Sequence, residues 1–235
     1  MVMQMLDYTD AANLFQLSGG TVAVTSVDDP VGYIADLSGN DRHEIQATAI
    51  QRPLWKGGFV KFAGTDGADG RWMGVATANS ITLPQVHCIS VSFAAGSPGV
   101  GRNSALFSYV TGVNIRNGSA PAELNIYNGA GTGRIRTRYP SIDTFSDDPV
   151  VSLINHQAIT QVRESGTSVK LYVNGSLAAT ITTTSADFTT PGAFRTGIHN
   201  SAQQFSTAAM YRRVILNTAD ADTVALADAW VNEAL

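Results

Sequence analysis

Apolar and polar positions alternate with a period of two along most of this chain. The clearest case is Ser168-Val-Lys-Leu-Tyr-Val-Asn-Gly-Ser-Leu-Ala-Ala-Thr-Ile. Two alternating runs flank Asn174-Gly175, a dipeptide that tolerates the positive φ angles of a type I′ turn. The segment therefore predicts a two-residue β-hairpin. Further strands are predicted near Thr21–Val24, Gly32–Asp36, Phe59–Phe62, Arg71–Val75, His87–Ala94, Ala105–Val110, Ala122–Tyr127, Arg134–Tyr139, Ala158–Glu164, Gly192–Gly197 and Ala208–Leu216. Gly, Asn, Asp and Pro fill the gaps. Asp28-Asp29, Asp147-Asp148 and Asp66 with Asp69 fall there and read as turn residues. Many short strands at this spacing predict a sandwich or jelly roll. No repeat with a period of about 20–50 residues appears, which excludes a solenoid or propeller.

The period lengthens to that of a helix only at the C-terminus. Asn217 or Thr218 supplies a cap, and Asp220 and Asp222 sit in the first turn, where the helix dipole favours negative charge. Val224, Ala227, Val231 and Leu235, with Trp230 beside them, form an apolar stripe. This predicts a closing helix over 217–235, packed on the sandwich edge beside the last strand.

Composition narrows the picture. The chain has 235 residues, enough for one all-β domain over 1–235 with its own core. Charged residues make up 14%, and 22 glycines suit many tight turns. A net charge of −4 argues against nonspecific binding to nucleic acid. Cys88 is the single cysteine, so no internal disulfide forms, and its apolar run predicts a buried small hydrophobe. No stretch reaches the apolar length of a membrane span. Met1-Val-Met-Gln-Met-Leu-Asp lacks the basic and apolar regions of a signal peptide, so synthesis in a bacterial cytoplasm is expected.

Three blocks of residues carry a family resemblance. The first is Asp10-Ala-Ala-Asn-Leu-Phe-Gln, followed by Thr21-Val-Ala-Val-Thr, Asp29-Pro-Val-Gly, Asp36-Leu-Ser-Gly-Asn-Asp-Arg-His43, Gln51-Arg-Pro-Leu54 and Val60-Lys-Phe-Ala-Gly-Thr-Asp66. The second is the Leu-Tyr-Val-Asn-Gly hairpin. The third is Tyr211-Arg-Arg-Val-Ile-Leu with the acidic-started helix. Together they resemble concanavalin A-like jelly rolls of the laminin G type encoded by tailed phages, prophages and phage-derived particles. The resemblance implies a sandwich of two antiparallel sheets with a C-terminal helix. It also implies a place in a virion or phage-like particle, in a tail fibre, baseplate or head spike. Such domains often carry Phe-Asp-Gly-Thr-Asp-Asp where this chain has Phe62-Ala63-Gly64-Thr65-Asp66-Gly67, so two carboxylates of a calcium site are missing.

Candidate chemistry is sparse. A glycosidase needs two carboxylates flanking the scissile bond, roughly 5–10 Å apart. No single strand presents such a pair, and Glu44, Glu123, Glu164 and Glu233 are scattered. No catalytic residue is assigned, and the protein is expected not to be an enzyme. His43, His87, His156 and His199 lack metal-ligand spacing, so no metal is assigned. Asp36, Asn40, Asp41, Asp66 and Asp69 offer oxygen ligands, and calcium stays an alternative to no cofactor. The sharpest local feature is Gly133-Arg-Ile-Arg-Thr-Arg-Tyr-Pro140. On a strand, Arg134, Arg136 and Arg138 share one face. Their partners are internal carboxylates such as Glu123 or Glu164, a neighbouring subunit, or an acidic glycan suited to Arg forks. Trp55 and Trp72 are aromatic candidates for stacking on a sugar, against core or rim packing. Arg134, Arg136, Arg138 and Trp72 are the candidate binding residues, with Arg213 as an outlying comparison.

The expected function is a lectin-like particle component that contacts host cell-surface polysaccharide. Its expected partners are other particle proteins and further copies of itself. The alternatives are a particle protein that makes only protein contacts, and a polysaccharide lyase or hydrolase.

Overall fold

The alternating segments assemble into two antiparallel sheets closed by one helix. The computed structural model describes residues 1–63, 70–80, 82–94, 103–111, 119–129, 132–139, 142–151, 155–182, 191–198 and 208–234. Within the strands between 103 and 151, side chains are described for Leu106, Phe107, Tyr109, Leu124 and Ile135.

In chain order the strands are β1 (Val2–Asp7), β2 (Leu14–Phe15), β3 (Tyr33–Ile34), β4 (Glu44–Ile45), β5 (Leu54–Trp55), β6 (Val60–Lys61), β7 (Met73–Val75), β8 (His87–Ala94) and β9 (Asn103–Thr111). They continue with β10 (Ser119–Gly129), β11 (Thr132–Tyr139), β12 (Ile142–Val151), β13 (His156–Ser165), β14 (Ser168–Val173), β15 (Ser176–Thr182), β16 (Gly192–Thr196) and β17 (Ala209–Leu216). The helix α1 spans Ala221–Asn232. The eight-stranded sheet runs β15-β14-β13-β8-β17-β6-β5, with β1 also on β17. The nine-stranded sheet runs β12-β11-β10-β9-β16-β7-β4-β3-β2. Their inner faces meet in one core, where Ile89, Val91, Ile159 and Ile215 oppose Phe107, Tyr109, Leu124 and Phe194. The all-β sandwich with a C-terminal helix is thus the architecture.

The hairpin forms as its sequence dictates. Val173 pairs with Ser176, and Asn174 and Gly175 take φ of 49° and 79°. Asn174 also ties the turn to β13, its Oδ1 accepting from the Ala158 amide at 2.8 Å. Gly175→Val would put a β-branched side chain at positive φ, with an expected cost of about 1–2 kcal/mol. A thermal melt of the variant checks this, and an unchanged midpoint would count against the turn strain.

Several expectations change. Residues 21–24 make only an isolated bridge, Phe15 to Ala23, instead of a strand. Asp147-Asp148 do not end a strand but lie inside β12, where the pairing jumps from Phe145 opposite Arg136 to Val150 opposite Arg134. The turn formers bulge out of an edge strand, the place where a sheet tolerates Pro149. The helix lies on a sheet face, not on an edge. Ala227 and Val231 pack with Cys88, Ala158, Val162, Val214 and Leu216 on the outer face of the eight-stranded sheet. Covered on both sides, β8 and β13 are buried almost throughout. The helix also starts later than expected, capped by Asp220 instead of Asn217 or Thr218, with Asp220 Oδ2 accepting from the Thr223 amide at 3.0 Å. At the other end Arg212 donates to the Trp230 carbonyl at 2.8 Å and pairs with Asp7 at 3.2 Å.

Arg213 is not an outlying residue. It is fully buried between the sheets and pairs with buried Glu44 of β4 at 2.7 Å. Gln4 Oε1 accepts from the same guanidinium at 2.7 Å, and the Thr196 hydroxyl accepts another of its protons. Burial pulls the Arg213 pKa down, and Glu44 together with Tyr8 and Asp36 outweighs this, so the net shift is upward. Burial also pushes the neighbouring Tyr8 hydroxyl far above its ordinary value.

His87, at the start of β8, is fully buried, and its Nδ1 bonds the Pro84 carbonyl at 2.7 Å. Burial holds its pKa down to about 4. An unfolded histidine titrates near 6.5, so the unfolded chain binds more protons between these values. Stability from the neutral ring is complete above pH ~6.5 and is lost as pH falls, by about 3 kcal/mol at pH 4. Backbone donors hold Asp29 below the usual carboxylate range, and Thr223 does so for Asp220, so their losses come at lower pH. Melts over this range are expected to show the slope, and His87→Gln to flatten it.

Candidate functional site

The outer face of the eight-stranded sheet carries α1, whereas no described helix packs on the outer face of the nine-stranded sheet. Backbone register builds a row across that second sheet. Asp143 pairs with Arg138, Arg138 with Glu123, Glu123 with Ser108, Ser108 with Arg195 and Arg195 with Gly74. Cross-strand partners share a face. Phe194 and Thr196 are buried on the inner side, so Arg195 between them belongs to the outer one. Ile135 is likewise buried, and positions 134, 136 and 138 alternate around it. The predicted arginine stripe therefore falls on the outer-face register of β11, next to Glu123 and Asn125 of β10. Its side chains lie outside the described ones.

Arg195 is the feature sequence reasoning missed. It is only 8% exposed, and its guanidinium carbon lies 5.4 Å from the centre of the Trp72 ring. Its Nη1 is buried with no hydrogen-bond partner, and no carboxylate pairs with it among the described residues. Burial lowers its pKa, yet a guanidinium stays charged in proteins. Trp72 is held on two edges. Its Nε1 donates to Gln51 Oε1 at 3.3 Å, and its carbonyl accepts from Gln46 Nε2 at 3.1 Å. Gly74 lets the pair close, because a Cβ there would come within 3.0 Å of Arg195 Cγ and 3.1 Å of Trp72 Cζ3. The structure thus brings Trp72 to a cation instead of leaving it as rim packing. Trp55 packs against the core.

The calcium alternative loses a ligand. Asp36 Oδ1 accepts from the Met5 and Ser38 amides, and Oδ2 from Arg42 N and Ser38 Oγ, all within 3.0 Å. It organises the 36–42 loop. Asp66 and Asp69 lie outside the described residues. Cys88 is fully buried, and burial pushes its thiol up to about 12, as suits a core residue.

Glu164 of β13 and Asp228 of α1 line one cavity beside the hairpin.

The fold recurs in solved structures. Trypanosoma rangeli sialidase in complex with sialic acid matches 96% of this chain at 12% identity and a TM-score of 0.62. An arabinofuranosidase complexed with arabinofuranosyl-alpha-1,2-xylobiose matches 99% at 11% identity and a TM-score of 0.69. A GH54 α-L-arabinofuranosidase soaked with a cyclic sulfate inhibitor matches 99% at 12% identity and a TM-score of 0.63. The chain spans 32% of that sialidase chain and 62–63% of the two arabinofuranosidase chains. At these identities the likeness establishes the fold, a β-sandwich found within glycosidase chains. No protein-family model and no curated protein matches the chain. The expectation that the protein is not an enzyme is corrected here, because its architecture occurs in glycoside hydrolases.

Proposed function

We propose that this chain is a carbohydrate-recognition sandwich of a phage or phage-like particle, and that its nine-stranded sheet binds an acidic polysaccharide of the host surface. The observation that carries the reading is Arg195, a buried guanidinium whose Nη1 has no hydrogen-bond partner and which has no carboxylate partner among the described residues, set against Trp72. A buried charge with no partner among the described residues is costly, and an acidic sugar would supply one. A sugar carboxylate or sulfate accepts from the guanidinium fork, while its apolar ring face lies on an indole edge. The arginine positions of β11 extend the same face and would attract an anionic chain. Glycosidase chains with this fold support the carbohydrate class. The residue blocks that resemble phage jelly rolls support the particle, its partner proteins and self-association.

The test is a glycan array with sialylated, uronate-bearing, sulfated and neutral members, read across a salt series. Acidic glycans are expected to be retained, more weakly as salt screens charges beyond about 8 Å. Absence of any acidic-glycan retention at low salt would sink the reading. Sugar release in the same incubations reports cleavage, and particle purification reports the assembly role.

A further inference from the structure

The eight-stranded sheet holds a second feature of a different kind. A cavity of about 320 Å³ lies between α1, the outer face of β13 and β14, and the hairpin tip. We propose that this cavity is a binding site for one neutral sugar unit. It shares no residue with the Arg195 face and does not depend on that reading.

The volume lies at the small end of ligand pockets, enough for a single ring but not for a chain. Its central polar group is Asp228. The Thr160 hydroxyl donates to Asp228 Oδ1 at 2.6 Å, and Asn232 Nδ2 donates to Oδ2 at 3.1 Å. Ser90, fully buried behind Thr160, fixes that hydroxyl at 2.9 Å. A carboxylate offers about four acceptor sites. These two donors leave capacity open, and among the described residues no cation pairs with Asp228. Vicinal hydroxyls fill such sites without bringing a charge.

The walls complete a sugar-like complement. Tyr172 of β14 presents an aromatic surface for the apolar face of a ring. At the rim, Lys170 and Glu164 pair at 2.6 Å and supply a donor beside an acceptor. The helix side is lined by Ala225 and Ala229, which leave the space open. Gly175 has a second role here. A Cβ on it would stand 3.3 Å from Asp228 Oδ2, so the turn glycine also makes room for the carboxylate. With Glu164 paired to Lys170, the carboxylate of Asp228 leaves the cavity net negative, which disfavours an anionic sugar. The charge logic is the reverse of that at Arg195, and the two sites are expected to sort ligands oppositely.

The experiment is saturation-transfer NMR on the full chain with methyl glycosides of glucose, galactose, mannose and N-acetylglucosamine, and with glucuronate. At least one neutral glycoside is expected to receive saturation, and glucuronate not to compete. Asp228→Asn is expected to weaken binding about tenfold, the loss of one charge-assisted hydrogen bond. Ala225→Leu fills the cavity from an exposed helix position with a good helix former, so it folds and should abolish the signal. Arg195→Met should leave it unchanged. No neutral glycoside bound, or binding that survives Ala225→Leu, overturns the proposal. Failure of the unaltered protein to retain any acidic glycan, with neutral binding intact, refutes the sheet-face reading instead.

Discussion

Replacing Glu44 by alanine is expected to lower the unfolding free energy by about 3–5 kcal/mol. Arg213 would then stand fully buried between the sheets without its carboxylate. Tyr8 and Thr196 would each lose an acceptor, since both donate to Glu44, at 3.2 and 2.8 Å. Among the described hydrogen-bond acceptors, Gln4 Oε1 and the Thr196 hydroxyl would still face the guanidinium. The network crosses the core, linking β1 and β17 of one sheet to β4 and β16 of the other. Its loss is therefore felt by the sandwich as a whole. The double variant Glu44→Leu with Arg213→Met is expected to recover most of the loss, because an apolar pair of similar volume removes both desolvation penalties. Urea melts of the three proteins decide the matter. A single variant within about 1 kcal/mol of the parent would mean the charge is compensated elsewhere.

The sequence reveals this fold wherever a local rule suffices. Asn174-Gly175 needs nothing beyond its two positive φ angles. Strands β8, β13 and β17 announce themselves by β-branched residues and alternation. By contrast β1 has no such mark. Val2-Met-Gln-Met-Leu-Asp is a strand because β17 offers an edge to pair with, from Leu216 back to Arg212. That is a tertiary cause, and β propensity depends on such context. Strand β12 was hidden by Asp147-Asp148-Pro149, whose turn chemistry is spent in a bulge.

The sites were legible in part. An arginine stripe is visible in sequence because strand alternation alone aligns it. A buried ion pair is not, since Glu44 and Arg213 are 169 residues apart. Arg195 carried no signal either. Its interest lies in a buried Nη1 without an acceptor among the described residues, and a sequence does not record spatial neighbours. Asp228 looked like one polar residue on an amphipathic helix. It became notable when the helix settled on a sheet face and set it against Thr160.

Arg195→Met is expected to move stability and binding in opposite directions. Methionine matches the length of the arginine stem, carries no charge and makes favourable contacts with an indole edge. Removing a buried donor that lacks a partner relieves about 1–3 kcal/mol. For a domain of this size that is a rise of roughly 2–10 °C in melting temperature. The same change takes away the charge that an acidic sugar would pair with. Truncating one side of a desolvated charge pair costs about 2–5 kcal/mol, so retention of acidic glycans should weaken by at least about 30-fold. Arg195→Lys separates charge from geometry. It keeps the positive end but loses the planar fork, and binding is expected to fall between parent and methionine variant. The opposed shifts are the signature of a residue kept for a ligand at the expense of the fold. A methionine variant that melts lower and binds like the parent would show that Arg195 has an internal partner, and the binding face would then have to be sought elsewhere.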